Sequence, residues 1–479
     1  MTDTELQLLP KPNRGDILEL ETTSLAFEGK AVARREDGYV VFVEGALAGE
    51  TVRAQIVKPK GRFAESKLVE VITPSPSRRS PICQYFSVCG GCAIQHIEYV
   101  AQLQAKTEQV RDLFERIGKL SDPPVLPTKG NGEREFYYRN KMEFSFSDSR
   151  WLTDEEIAGG DVQDRFALGL HIPGRYDRVL DIEECYICHP LVTKALNLTR
   201  DFARDQDLHT YDPDKMPDGL LRFLVVRNSF HSGQMMLNLV TSRYDEEIIQ
   251  KYAALLHREL PEVTTLVNNI NGKRAQVAAG EKEHIIFGPG YITDSIGAPN
   301  YQISANSFFQ TNTPQAEILY SIAEEYAELQ QDDILWDLYC GAGTISLFIA
   351  PKVKSVLGIE MVEAAITDAN ANAERNKISN VEFISGDLRK VLLSPDIISK
   401  YQKPTVMIID PPRSGMHPDV VAEVLELAPE RISYISCNPA TQARDMELLS
   451  EKYEVLALQP VDMFPQTWHI ECVAKLRRK

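Results

Sequence analysis

Over its last third the chain alternates short, largely apolar runs with stretches of helical spacing. The runs occupy 334–338, 355–359, 381–384, 406–409 and 432–435, and helical patterns fill 362–376, 418–427 and 440–453. Apolar runs this short, without polar alternation, predict strands buried on both faces. Strands joined through helices imply right-handed crossovers and a parallel, doubly wound sheet. Further runs at 453–458 and 472–476 predict two edge strands.

Upstream the pattern changes. Across 11–73, short β-like runs at 31–33, 39–43 and 52–57 are parted by glycines at 29, 38, 45, 49 and 61, which predicts a small OB-like barrel. Pro74 and Pro76, set among serines, read as a linker. Within 97–117, Leu103, Val110, Leu113, Phe114 and Ile117 recur at helical spacing amid polar residues, the mark of one amphipathic helix. From 136 to 290, candidate strands at 141–146, 223–228, 235–240 and 265–269 lie among polar loops and read as α+β. The fold class is therefore α/β in three units: a barrel at 11–73, a central α+β domain from 80–96 and 125–295, and a sheet domain from 97–124 and 296–479.

Composition narrows the classes. With 479 residues, 43% hydrophobic and 25% charged, this is the makeup of a soluble chain of several domains. No apolar window reaches the roughly eighteen residues of a membrane span, and residues 1–13 lack the apolar core of a secretion signal. The expected address is cytoplasmic, with no membrane partner. A net charge of −17 argues against a general nucleic-acid binder but leaves room for local basic stripes, such as Lys58, Lys60, Arg62 and Lys67. Eight cysteines in a cytosolic chain point to metal or catalytic roles.

The candidate chemistry collects at predicted strand ends, where open α/β sheets bind ligands. Asp337-Leu338-Tyr339-Cys340-Gly341-Ala342-Gly343-Thr344 ends the first strand, and its glycines permit a tight turn against a ligand. Glu360, ending the next strand, suits the hydroxyls of a ribose. No Gly-Lys-Ser/Thr follows the turn and a third glycine is missing, so a nucleoside cofactor without phosphates fits best: S-adenosylmethionine, with Asp387 near its adenine. Asp410-Pro411-Pro412-Arg413 ends the fourth strand and makes a rigid loop that cannot donate backbone hydrogen bonds at its prolines. Cys437 ends the fifth, a thiol placed as a nucleophile.

Together with Phe308-Phe309-Gln310-Thr311-Asn312, Ser436-Cys437-Asn438-Pro439-Ala440-Thr441 and the stretch Asp462 to Glu471, these motifs resemble the RNA uracil-C5 (m5U) methyltransferases. The resemblance covers nearly the whole chain and extends to the iron-sulfur 23S rRNA enzymes, with the barrel looking like a TRAM domain. It implies a C-terminal Rossmann-like methyltransferase sheet and a central iron-sulfur domain. It also implies Cys437 as the nucleophile that adds to uracil C6 and Glu471 as the base that removes the C5 proton. Gln310, Tyr339, Glu360 and Asp410 match cofactor-side positions. Thr344 and Asp387 stand where some relatives carry Asn. Cys340 is a family feature of the turn, and Cys472 is expected to be edge-strand packing.

The resemblance further implies a [4Fe-4S] cluster on Cys83, Cys89, Cys92 and Cys185. Spacing alone leaves open a zinc site built from two C-x2-C pairs, Cys89 with Cys92 and Cys185 with Cys188. The reading is a monomeric enzyme acting on 23S ribosomal RNA. Its rivals are a transfer RNA m5U enzyme and a non-catalytic RNA-binding iron-sulfur protein.

Overall fold

The computed structural model describes residues 10–26, 29–160, 162 and 164–479. Strands Ile17–Leu25, Ala31–Arg34, Val40–Glu44, Thr51–Pro59 and Phe63–Thr73 close into a barrel. Along Thr51–Pro59 the alternation is plain, with Val52, Ala54 and Ile56 inside and Arg53 and Gln55 outside, as a period of two requires.

The central unit is a seven-stranded sheet in the order Lys282–Phe287, Val263–Ile270, Met235–Thr241, Leu221–Asn228, Lys141–Ser147, Ala167–Ile172, Arg175–Asp181. Only Met235–Thr241 and Val263–Ile270 run parallel. Helices Pro190–Asp205 and Glu246–Glu259 cover one face, packing Leu196 and Tyr252 into one core with Phe144, Leu224 and Leu237.

The C-terminal sheet runs Val381–Ser385, Ser355–Glu360, Ile334–Leu338, Val406–Ile409, Arg431–Ser436, Glu471–Arg478, Tyr453–Val461. The first five strands are parallel, and the last two join antiparallel. One expectation is corrected here. Glu471–Arg478 is not an edge strand: it slots between Arg431–Ser436 and Tyr453–Val461, so Cys472 packs in the sheet interior at 0% exposure. The connection of residues 462–470 is long enough to let the chain return inside its predecessor.

Helix Tyr99–Arg116 precedes the central sheet in sequence but packs on the last one. Its Val110 and Phe114 share a core with Trp336, Met446 and Leu458. From the same helix, Lys106 reaches Asp462 at 2.5 Å, both side chains fully buried. Removing one partner of such a pair strands a charge in low dielectric, and Asp462 Oδ2 already has no hydrogen-bond partner. Lys106→Ala should therefore cost about 3–5 kcal/mol in urea unfolding, and Lys106→Met combined with Asp462→Leu should restore most of it.

Candidate active site and cysteine pocket

Strand order reverses between Ile334–Leu338 and Val406–Ile409. The helices that follow them, Thr344–Ile349 and Pro418–Leu427, pack into different cores on the two faces, which opens a crevice at the carboxyl edge. On its first side Tyr339 takes a left-handed φ of 64°, followed by Gly341 at 53° and Gly343 at 74°. A Cβ on Gly343 would stand 2.6 Å from the Phe383 ring, whereas nothing lies within 4 Å of one on Gly341. The turn is thus packed beneath and open above. Glu360 braces it, accepting from Gly341 N at 3.2 Å, Met361 N at 2.8 Å and Val362 N at 3.0 Å.

Gln310 lies just before helix Thr313–Ala327; its carbonyl accepts from Asn140 Nδ2 at 2.9 Å and its side chain reaches the Tyr320 hydroxyl. Tyr320 also bonds Thr344 Oγ1 at 2.8 Å, which gives the threonine of the turn a task. Asp387 caps a short helix through Arg389 N at 3.1 Å and pairs with the Arg389 guanidinium at 2.6 Å; that pairing holds its carboxyl below the ordinary range. Part of that carboxylate's hydrogen-bonding capacity is therefore already used.

The reacting side is set by strand register. Ser436 pairs with Cys472 as the last pair of the antiparallel ladder, and Cys437 and Glu471 follow one step outward, near enough for Glu471 to raise the thiol. Asn438 Nδ2 and Thr441 Oγ1 donate to the Arg413 carbonyl at 3.1 and 3.3 Å, binding the Asp410-Pro-Pro-Arg413 loop to the cysteine loop.

Electrostatics here are unbalanced. Burial, then the neighbouring Asp337, pushes Asp410 up to about 7. Burial likewise lifts Asp337 to about 7, and its Oδ1 has no partner. Glu471 is pushed far above its usual range by burial and then by Asp410. The Cys437 thiol rises to about 11 through burial, Glu471 and Asp410, with Arg413 pulling the other way. A carboxyl raised this way is neutral at rest and strongly basic once ionised.

Far along the chain, Cys83, Cys89, Cys92 and Cys185 line one cavity, walled in part by Phe86, Leu170 and Ile182. Burial lifts the thiols of Cys89 to about 11 and Cys92 to about 12. Cys188 is not in that wall: it is fully buried and its thiol donates toward the Cys185 carbonyl at 3.5 Å. The cavity thus brings together four soft sulfur donors, a set suited to an iron-sulfur cluster or zinc. Among the described residues, no three His, Cys, Asp or Glu side chains already stand as a metal-binding group, so the thiols would have to close on their guest.

A family model described as tRNA (uracil-5-)-methyltransferase matches residues 223–479, and a TRAM domain model matches residues 11–69. An uncharacterized RNA methyltransferase of Chlorobaculum tepidum is 43% identical over 470 residues, spanning 97% of each chain. One from Bacteroides thetaiotaomicron is 40% identical over 456 residues, 94% of this chain and 99% of that one.

The chain belongs to the RNA (uracil-5-)-methyltransferase family.

It is a methyltransferase that uses S-adenosylmethionine and acts on RNA. Its fold is also that of the Pyrococcus abyssi tRNA (uracil-54, C5)-methyltransferase bound to S-adenosyl-L-homocysteine. That structure superposes with a TM-score of 0.74 at 24% identity, over 96% of this chain and 100% of the other. No helix among the described residues is long and apolar enough to cross a membrane. Two contributors to this methyltransferase's crevice had no role assigned from sequence. Asp337 raises Asp410, and its signal was an acid inside an apolar run; Tyr320 joins Gln310 to Thr344, and nothing in its helix pattern marked it.

The raised acids predict a pH slope. Below about pH 4 Asp410 is protonated in folded and unfolded chains alike. As pH climbs toward about 7 only the folded chain keeps the proton, and stability falls across that window. Asp410→Asn should melt at a higher temperature than the native enzyme at pH 8, with the gap closing at pH 4, as read by calorimetry.

Proposed function

We propose that the protein methylates C5 of a specific uridine in 23S ribosomal RNA, with Cys437 as nucleophile and Glu471 as base. The observation that supports the chemistry is that the last ladder pair, Ser436 with Cys472, leaves Cys437 and Glu471 adjacent at the crevice, where Glu471 raises the Cys437 thiol. S-adenosylmethionine, when bound, supplies an electrophilic methyl group; Gln310, Tyr339, Glu360, Asp387 and Asp410 are its proposed holders. The open face over Gly341 and the unpartnered Asp337 Oδ1 fit a polar ligand lying there.

Cys437 sulfur bonds to uracil C6, and the C5–C6 electron pair moves onto the C4 carbonyl as an enolate. C5 is then nucleophilic and accepts the methyl group. Glu471, ionised as the carboxylate at this step, takes the C5 proton, the C5–C6 double bond re-forms, the C6–S bond breaks, and sulfur leaves as thiolate. Arg413 lowers the thiol and so favours the attacking form. The cytoplasmic 23S substrate is supported by the pairing of the barrel with a four-thiol cavity, a combination resembling the ribosomal branch of the family. A transfer RNA substrate is the second reading, favoured by the whole-length fold match to the Pyrococcus abyssi enzyme.

Purified enzyme incubated with S-adenosylmethionine and total RNA should place m5U in 23S RNA when mapped by mass spectrometry; m5U confined to transfer RNA would overturn that choice. In the same assay Cys437→Ala should lose activity by about a thousandfold or more while still binding RNA. Glu471→Gln should leave a denaturant-stable protein–RNA adduct.

Cys83, Cys89, Cys92 and Cys185 are the proposed holders of a [4Fe-4S] cluster, which would supply a structural cross-link, since methyl transfer involves no net oxidation or reduction. After anaerobic reconstitution with iron and sulfide, Cys185→Ser should lose the cluster absorbance and Cys188→Ser should keep it. Equal loss in both, with zinc bound instead, would favour the two C-x2-C pairs.

A further inference from the structure

Residues 462–470 connect the last two strands and deliver Glu471. A hairpin needs only a short turn, yet this connection is long, buried and gripped from several sides. Asn312 Nδ2 donates to the Met463 carbonyl and the Tyr138 hydroxyl to the Pro465 carbonyl, each at 3.0 Å. Gln466 is fully buried with a left-handed φ of 68°, a conformation that costs a non-glycine residue about 1 kcal/mol or more.

Its bonds account for that cost. The Gln466 carbonyl accepts from Ala93 N at 2.8 Å and Ile94 N at 3.1 Å. Its Oε1 accepts from Gln102 at 3.0 Å and Arg79 at 3.3 Å, and its Nε2 donates to Glu135 at 2.8 Å. Arg79 and Glu135 are themselves joined by two bonds, of 3.0 and 2.6 Å. Two residues on, Trp468 lies against the barrel backbone at Gly29, where a Cβ would stand 1.7 Å from the indole. Leu25 and Leu47 of the barrel, with Ile94 and Ile97, complete that small apolar cluster.

We infer that Gln466 and Trp468 are positioning residues for Glu471, through which the seating of the barrel and of the segment after the cysteines governs proton removal from uracil C5. Barrel and base are then coupled across one short peptide, and RNA held on the barrel bears on the late step of the reaction. The inference rests on the reading of Glu471 as the base.

The test separates the two. Gln466→Gly keeps the left-handed backbone and deletes the side-chain bonds; Trp468→Ala removes the barrel contact, and Trp468→Phe retains an aromatic face. Each is mixed with RNA and S-adenosylmethionine, and denaturant-stable adduct is measured against released m5U product. Mispositioning the base should raise the adduct-to-product ratio about tenfold or more over native enzyme for Gln466→Gly and Trp468→Ala, with Trp468→Phe near native. If Glu471→Gln accumulates adduct while Gln466→Gly and Trp468→Ala lose adduct and product in proportion, the positioning role is overturned and the base stands. If Glu471→Gln itself gives no adduct, the base assignment fails and this inference with it.

Discussion

The catalytic half depends on how its final strand is seated. Glu471–Arg478 enters between two earlier strands, and its side chains divide between two cores: Cys472, Ala474 and Leu476 on one face, Val473 on the other. A slip of one residue would exchange the faces and turn Glu471 away from Cys437. Small residues alternate with larger ones along this strand, so an exchange would leave holes on one side and overcrowding on the other. Packing, more than exposure, is what locks thiol and carboxylate into opposition.

That arrangement is electrostatically unfavourable at rest. Asp337, Asp410, Glu471 and Cys437 share one crevice with Arg413 as the cation opposing them at the thiol. The rest of the fold must supply the stability such a group consumes, as at many catalytic sites. Because the shifts come mostly from burial, they follow the shape of the crevice and change as it fills. A quiet thiol in the free protein is consistent with a reactive one in a filled site.

Much of this was legible in the chain, for physical reasons that differ by region. Parallel strands buried on both faces read as apolar runs, so four of the five parallel strands of the last sheet were plain, while Val381–Ser385 at its edge showed only through Val381, Phe383 and Ile384. Arg175–Asp181 and Lys282–Phe287 lie at the two edges of the central sheet, the first burying only Val179 and Leu180 and the second no residue fully, too little to leave a pattern. Helix Thr313–Ala327 is buried on most sides, which erases the stripe that marks an amphipathic helix. Strand-end residues such as Tyr339, Glu360, Asp410 and Cys437 could be placed at one edge from sequence. That Glu471 faces Cys437, or that Cys83 and not Cys188 lines the thiol cavity, depends on register and loop path, which spacing does not carry.

The contact between Lys106 and Asp462 spans 356 positions of sequence. Helix Tyr99–Arg116 emerges from the ribosome early, with Val110 and Phe114 apolar and unpartnered until the last sheet exists. Contacts of such separation form late, and exposed apolar surface invites association while it waits. During synthesis the barrel and central sheet are free to fold first, as local units. The methyltransferase unit reaches its native core only after strand Glu471–Arg478 is made.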